Sequence, residues 1–182
     1  MWYFWGMIAH YKRGNAVEIQ LVAGIGRAQT LLSSFDAALK SCGVLNYNLI
    51  PLSSVIPPRS AIAQVERYTQ PTNEDEHGHR LYVVKADARS DVPGHAVGAA
   101  IGWYQWSDDR GVFVEHEAVG VSRAGVEAEL RCRVVESLAD LCAFRDVPFL
   151  PRNVGMRLTS ADVDGRPTTA LVLAVYQAEG WQ

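Results

Sequence analysis

Apolar positions recur every third or fourth residue in some stretches of this chain and every second in others, and these changes of period divide it into elements. "AVEIQLVAG", residues 16–24, alternates loosely, is rich in valine and isoleucine and stops at a glycine, which predicts a first strand. In "TLLSSFDAALKSCG" the residues Leu31, Leu32, Phe35, Ala38, Leu39 and Cys42 fall at steps of three and four, which predicts a helix. Thr30 can cap its start and Gly43 can close its end, and Asp36 sits at the border of the apolar stripe. "NYNLIPL" then predicts a short strand with Asn48, Ile50 and Leu52 on one face and Tyr47 and Leu49 on the other. That strand delivers two adjacent serines, Ser53 and Ser54, followed closely by Pro57 and Pro58.

Residues 69–80, "TQPTNEDEHGHR", are polar, acidic and without period, and predict an exposed loop. Three strands follow: "RLYVVKAD" from Arg80, "AVGAAIGWYQW" from Ala96 and "GVFVEHEAVG" from Gly111, the last two joined by "SDDRG". Alternation in the third puts Phe113, Glu115 and Glu117 on one face. Val126, Leu130, Val134, Leu138 and Leu141 give residues 122–145 the spacing of a second long helix. The end of the chain reads as a hairpin turning at Asp164 and Gly165, with a last strand apolar on both faces and therefore central.

Two long helices separated by six or seven strands on short connections predict an α+β fold of mostly antiparallel sheets sandwiched with helices, in αββα-type layers. "GIGRAQ", residues 24–29, does not change this, because Gln29 stands where a dinucleotide fingerprint needs its third glycine. With 182 residues, 48% of them hydrophobic, residues 16–182 suit a single domain. A net charge of −3 with scattered basic residues excludes nucleic acid as an expected partner. Cys42, Cys132 and Cys142 have no C-x-x-C spacing and predict reduced thiols in a cytoplasmic protein. Residues 1–15, "MWYFWGMIAHYKRGN", form an N-terminal extension with an apolar start too short to span a bilayer and wrongly flanked for a secretion signal. Packing on a neighbouring subunit, lying on a membrane surface and being dispensable to the fold all fit it.

No H-E-x-x-H, G-x-S-x-G or phosphate loop is present. His77 and His79 fit a solvated loop better than a metal site, and His95 and His116 fit hydrogen-bonded structural roles. What stands out is polar residues in apolar settings. Ser53 and Ser54 read either as turn residues at a strand end or as reactants. Asn48 reads as a strand cross-link or a site residue, and Asp36 as an i, i+4 partner of Lys40 or a binding group. Glu115, inside "VFVEH", either faces solvent or is a carboxyl whose apolar surroundings let it keep a proton and act as a general acid.

"SSFDAALKSCGVLNYNLIPLSSVIPP" resembles the core of the pyruvoyl-dependent arginine decarboxylases, with their F-D-x-A-L helix, glycine turn, N-x-N-L-I, Ser-Ser pair and I/V-x-P-P. The resemblance extends through "DVPG" at residues 91–94 and "GVFVE" at 111–115, and more weakly to "TTALVLAVYQ". It implies a chain that cuts itself between Ser53 and Ser54, leaving Ser54 as a covalent pyruvoyl cofactor, with neither pyridoxal phosphate nor a metal. It further implies decarboxylation of L-arginine to agmatine and CO2 through a Schiff base to that group. By the same resemblance Glu115 is the proton donor, Asn48 assists processing and catalysis, and Asp36 binds the guanidinium. The sites are expected between subunits of a homotrimer or dimer of trimers, with no membrane partner. Two alternatives stay open: a family member that is not processed and serves as a structural or regulatory subunit, and a pyruvoyl decarboxylase for another basic amino acid.

Overall fold

The structure, a computed structural model, describes residues 17–70 and 75–181; the aromatic extension lies outside them. Along the chain the described elements are β1 (Glu18–Arg27), α1 (Leu31–Cys42), β2 (Asn48–Pro51), β3 (Val55–Ile56), β4 (Ala61–Gln64), β5 (Arg80–Ser90), β6 (Ala96–Gln105), β7 (Gly111–Gly120), α2 (Arg123–Ala143), β8 (Gly155–Asp162) and β9 (Thr168–Glu179). The caps of α1 follow the sequence. Thr30 Oγ1 accepts from the Ser33 amide in a reciprocal capping box, and Gly43 closes the helix in the left-handed region at φ 87°.

One sheet has the order β2-β5-β9-β1-β4 and the other β3-β7-β6-β8. β1–β4 and β2–β5 are parallel, and every other pairing is antiparallel. The sheets face each other across a core that includes Leu21, Val84, Ile101, Phe113 and Val172. Ala38, Leu39 and Cys42 of α1 pack on Val22, Leu171 and Leu173 on the outer side of the first sheet. Val126, Leu130, Val134 and Leu138 of α2 cover Ala100, Val112 and Val114 on the outer side of the second. This is the expected α+β sandwich with αββα layers. β9 lies at the centre of its sheet and is buried from Thr168 to Val175, because it faces α1 on one side and the second sheet on the other.

β1 does not stop at Gly24 but runs on to Arg27, and the reason lies in α1. A Cβ at Gly24 would sit 2.8 Å from Cys42 Sγ, and one at Gly26 only 2.0 Å from the Ser34 carbonyl oxygen and 2.3 Å from the Ala38 amide nitrogen. The glycines of "GIG" let the helix backbone approach the strand, which is a packing role and not a phosphate-binding one. Gly26→Ala is therefore expected to destabilise by roughly 3 kcal/mol, the upper part of the overpacking range. Denaturant unfolding should show a lower midpoint with an unchanged slope.

The acidic loop also differs from expectation at one position. Glu76 is 5% exposed and accepts a 2.5 Å hydrogen bond from Tyr47 Oη, so this part of the loop is tied to the body of the protein. β3 and β4, two and four residues long, are too short to carry a period and escape sequence reading. β2 pairs with only the first four residues of β5, and β3 with only the first two of β7. Beyond those contacts β5 and β7 are sheet edges on the same flank of the sandwich.

Candidate active site

"LSSVIPP" takes its shape from its neighbours. Pro51 ends β2, and the Leu52 amide still donates to the Val83 carbonyl at 2.8 Å. Prolines 57 and 58 cannot donate to a ladder, so β3 stops after Val55 and Ile56. Between these limits Ser53 is exposed and Ser54 half-buried. Ser54 has φ 65°, a left-handed conformation unfavourable for a residue with a Cβ. Such strain at a non-glycine residue persists only where its surroundings enforce it.

They do so here by pairing β3 with β7. Val55 lies opposite Val112, and the Phe113 amide donates to the Ser54 carbonyl at 2.8 Å. Two residues further along β7, Glu115 is half-buried and projects from the same face as Phe113, toward the other sheet. Ser54 Oγ donates to Glu115 Oε1 at 2.5 Å. Of the two directions open to Glu115, solvent and interior, it takes the interior one.

Ser54 and Glu115 open into a cleft of about 380 Å³ that runs round the free edge of β7 to α2, where Ser137, Asp140, Leu141 and Phe144 form the far wall. His116 projects to the α2 side, and its Nε2 lies 2.9 Å from Ser137 Oγ. His95 has a similar partner, with Nδ1 3.3 Å from Ser90 Oγ. Both histidines thus have the structural hydrogen bonds that their setting suggested, although the partners were not visible in the sequence.

Asn48 and Asp36 stand elsewhere in the chain. Asn48 Nδ2 donates to the Gly78 carbonyl at 2.6 Å, and its backbone amide to the His79 carbonyl at 2.8 Å. It therefore links β2 to the loop before β5 while lining a second cleft, of about 390 Å³, with Phe35, Leu39, Pro51, Lys85 and Arg89. Asp36 is exposed on α1 next to Phe35. The i, i+4 ion pairs among the described residues are Arg123–Glu127 and Glu129–Arg133, both on α2, so Asp36 is not held by Lys40. Arg89 stacks on the Phe35 ring at 4.0 Å and bonds Asp87 at 2.7 Å. Burial opposes charge on Asp87, but Lys85 and Arg89 outweigh it and hold its carboxyl below the usual range.

Glu117, two residues beyond Glu115 on the same side of β7 but more exposed, accepts from the Asp87 backbone. Burial pushes its carboxyl above the usual range. Glu115 and Glu117 thus form a row of carboxylates along one strand, and only Glu115 touches Ser54.

The same sequence matches known proteins over nearly its whole described length. A family model described as pyruvoyl-dependent arginine decarboxylase matches residues 18–180. The pyruvoyl-dependent arginine decarboxylase of Halobacterium salinarum is 32% identical over 159 residues, 87% of this chain and 93% of that one. That of Picrophilus torridus is 35% identical over 129 residues, covering 68% and 69%, and that of Methanocaldococcus jannaschii 37% over 93 residues, 51% of each. The match spans β1 to β9 and includes both clefts, so the chain belongs to the pyruvoyl-dependent arginine decarboxylase family.

Proposed function

We propose that the chain cuts itself between Ser53 and Ser54, converts Ser54 to a pyruvoyl group and decarboxylates L-arginine to agmatine and CO2. The observation that carries this reading is a strained serine whose hydroxyl is hydrogen-bonded to a half-buried carboxylate. Serine is the chemical precursor that a pyruvoyl group requires, and its neighbours fit the conversion. Glu115 Oε1 takes the proton from Ser54 Oγ as the oxygen attacks the Ser53 carbonyl carbon. The amide C–N bond breaks, the Ser54 nitrogen gains a proton, and an ester joins Ser53 to the Ser54 side chain. Loss of the Ser54 Cα proton then expels the Ser53 carboxylate and leaves dehydroalanine, which takes up water and releases ammonia to give the ketone.

Once formed, that group supplies an electrophilic ketone for the substrate amine and a sink for the electrons left by CO2. The rest of the work falls to residues of the chain. The Phe113 amide holds the carbonyl of residue 54 and favours negative charge on its oxygen. Glu115 stands where it can return a proton to the substrate α-carbon after CO2 leaves. Asp36, a planar carboxylate with no ion-pair partner on its own helix, suits a planar guanidinium.

Asp36 and Asn48 do not line the cleft that holds Ser54 and Glu115, so one chain does not assemble the whole set. A trimer whose subunits abut at the free edges of β5 and β7 would join the Asn48 cleft of one copy to the Ser54 cleft of the next. Among the described residues no helix is long and apolar enough to cross a membrane.

A denaturing gel with intact masses tests the cut. Expected are a fragment ending at Ser53 and a larger one whose first residue carries no free amine. Release of agmatine and CO2 from arginine, compared with lysine and ornithine, tests the substrate. A chain that stays whole after prolonged incubation favours a non-processed structural subunit, and turnover of lysine or ornithine alone reassigns the substrate.

A further inference from the structure

We infer that Tyr176, which the family resemblance assigns no role, is a positioning residue that anchors the start of the fragment beginning at residue 54 through the Val55 carbonyl. The inference rests on the processing proposed above, and it starts from an irregularity in the central strand. Along β9, Ala170, Val172 and Ala174 point between the sheets, while Leu171, Leu173 and Val175 point toward α1. Opposite, β5 pairs Val83 with Val175 but Tyr82 with Gln177, so Tyr176 is the extra residue of a β-bulge. Beyond it the faces exchange, and Ala178 packs on the α1 side. Bulges are common beside functional sites, and at this one Tyr176 packs against the core between the sheets.

Its ring stands edge-on to Phe113, with centroids 6.2 Å apart and planes at 74°. Its hydroxyl donates to the Val55 carbonyl at 3.0 Å. Val55 is the residue joined to position 54, so Tyr176 and the Phe113 amide hold successive carbonyls of the same short segment. Burial and the nearby charge of Glu115 both raise the Tyr176 phenol above its ordinary range, which keeps it a donor at any working pH.

Before the cut, β3 is anchored by chain on both sides. Afterwards it has a free end, and a two-residue strand gives little cooperative support. The Tyr176 hydroxyl then becomes one of the few bonds that keep the ketone of residue 54 within reach of Glu115. An error of about 1 Å there is enough to slow the chemistry roughly a hundredfold.

Tyr176→Phe retains the ring against Phe113 and removes only the hydroxyl. Expected is self-cleavage slowed up to about tenfold, the upper end of the net worth of one hydrogen bond. The cut fraction, counted by intact mass, should show a similar fall in kcat with KM unchanged, because Tyr176 positions the reacting residue and not the substrate. Tyr82→Phe is the control. Tyr82 lines the same 260 Å³ cavity as Tyr176 but its hydroxyl donates to Glu179, and the loss of that hydroxyl should leave both rates unaltered. A Tyr176→Phe chain that is cut and turns over at wild-type rates, even with a lower Tm, overturns the inference while the proposed function stands. A wild-type chain that is never cut overturns both.

Discussion

Ser54→Ala leaves the chain in one piece. Without Oγ there is no nucleophile for the Ser53 carbonyl and no oxygen to expel, so the chain should run at its full 20.0 kDa however long it is incubated. Decarboxylation should fall to background as well, because the same atom begins the route to the ketone. Ser53→Ala separates the two serines. Ser53 contributes only its carbonyl, which alanine keeps, so that variant should be cut at a rate within a few-fold of wild type and yield a fragment ending in alanine. Intact mass reads both outcomes directly. Cleavage of Ser54→Ala at the same bond, or loss of cleavage in Ser53→Ala with its fold intact, would contradict the assignment of nucleophile and electrophile. The alanine at position 54 must still adopt φ 65°, so a modest fall in Tm is expected and does not bear on the chemistry.

The parts of this fold legible in the sequence are those where one periodic pattern outlasts its neighbours. α1 and α2 each present four or more buried residues on one stripe, and each carries its own cap, so local and tertiary preferences agree. β9 was legible for the opposite reason, since an apolar run with no alternation fits only a strand covered on both sides. The true end of β1 is hidden because Gly24, which resembles a strand stop, serves as a clearance for the helix above it. Composition alone makes Glu76 look solvated, whereas its burial depends on Tyr47, a residue 29 positions away.

The candidate site divides along the same line. Asn48, Ser53 and Ser54 lie close together, and their local oddity could be seen: a strand, two hydroxyls, two prolines. That Glu115 meets Ser54, 61 positions earlier, depends on the pairing of Val55 with Val112, which a two-residue strand does not advertise. The direction of Glu115 came from alternation with Phe113, but its partner came from topology. Tyr176 was hidden more deeply. Its direction continues the alternation of Ala170, Val172 and Ala174, but its contacts with Phe113 and Val55 follow from how one sheet packs on the other, which no single-strand pattern encodes.

Glu115→Gln should separate the two duties proposed for this side chain. The amide is nearly isosteric, and its Oε1 can still accept from Ser54 Oγ, so the strained turn and the cleft should keep their shape. What it cannot do is gain or release a proton. Cleavage should slow but reach completion on long incubation, since water or another base can take the Oγ proton less efficiently. Measured per cut chain, kcat should fall by about 10²–10⁴-fold, the usual worth of a positioned acid or base, with KM little altered because the carboxylate is not assigned to the guanidinium. An independent reading comes from Tyr176. The charge of Glu115 helps to hold that phenol above its ordinary range, so removing the charge should lower the titration midpoint of Tyr176, although burial still keeps it raised. A difference ultraviolet titration between the Glu115→Gln chain and wild type would show the change. If the midpoint moves while kcat per cut chain stays within a few-fold of wild type, Glu115 is a neighbour of the reacting residue and another group protonates the substrate.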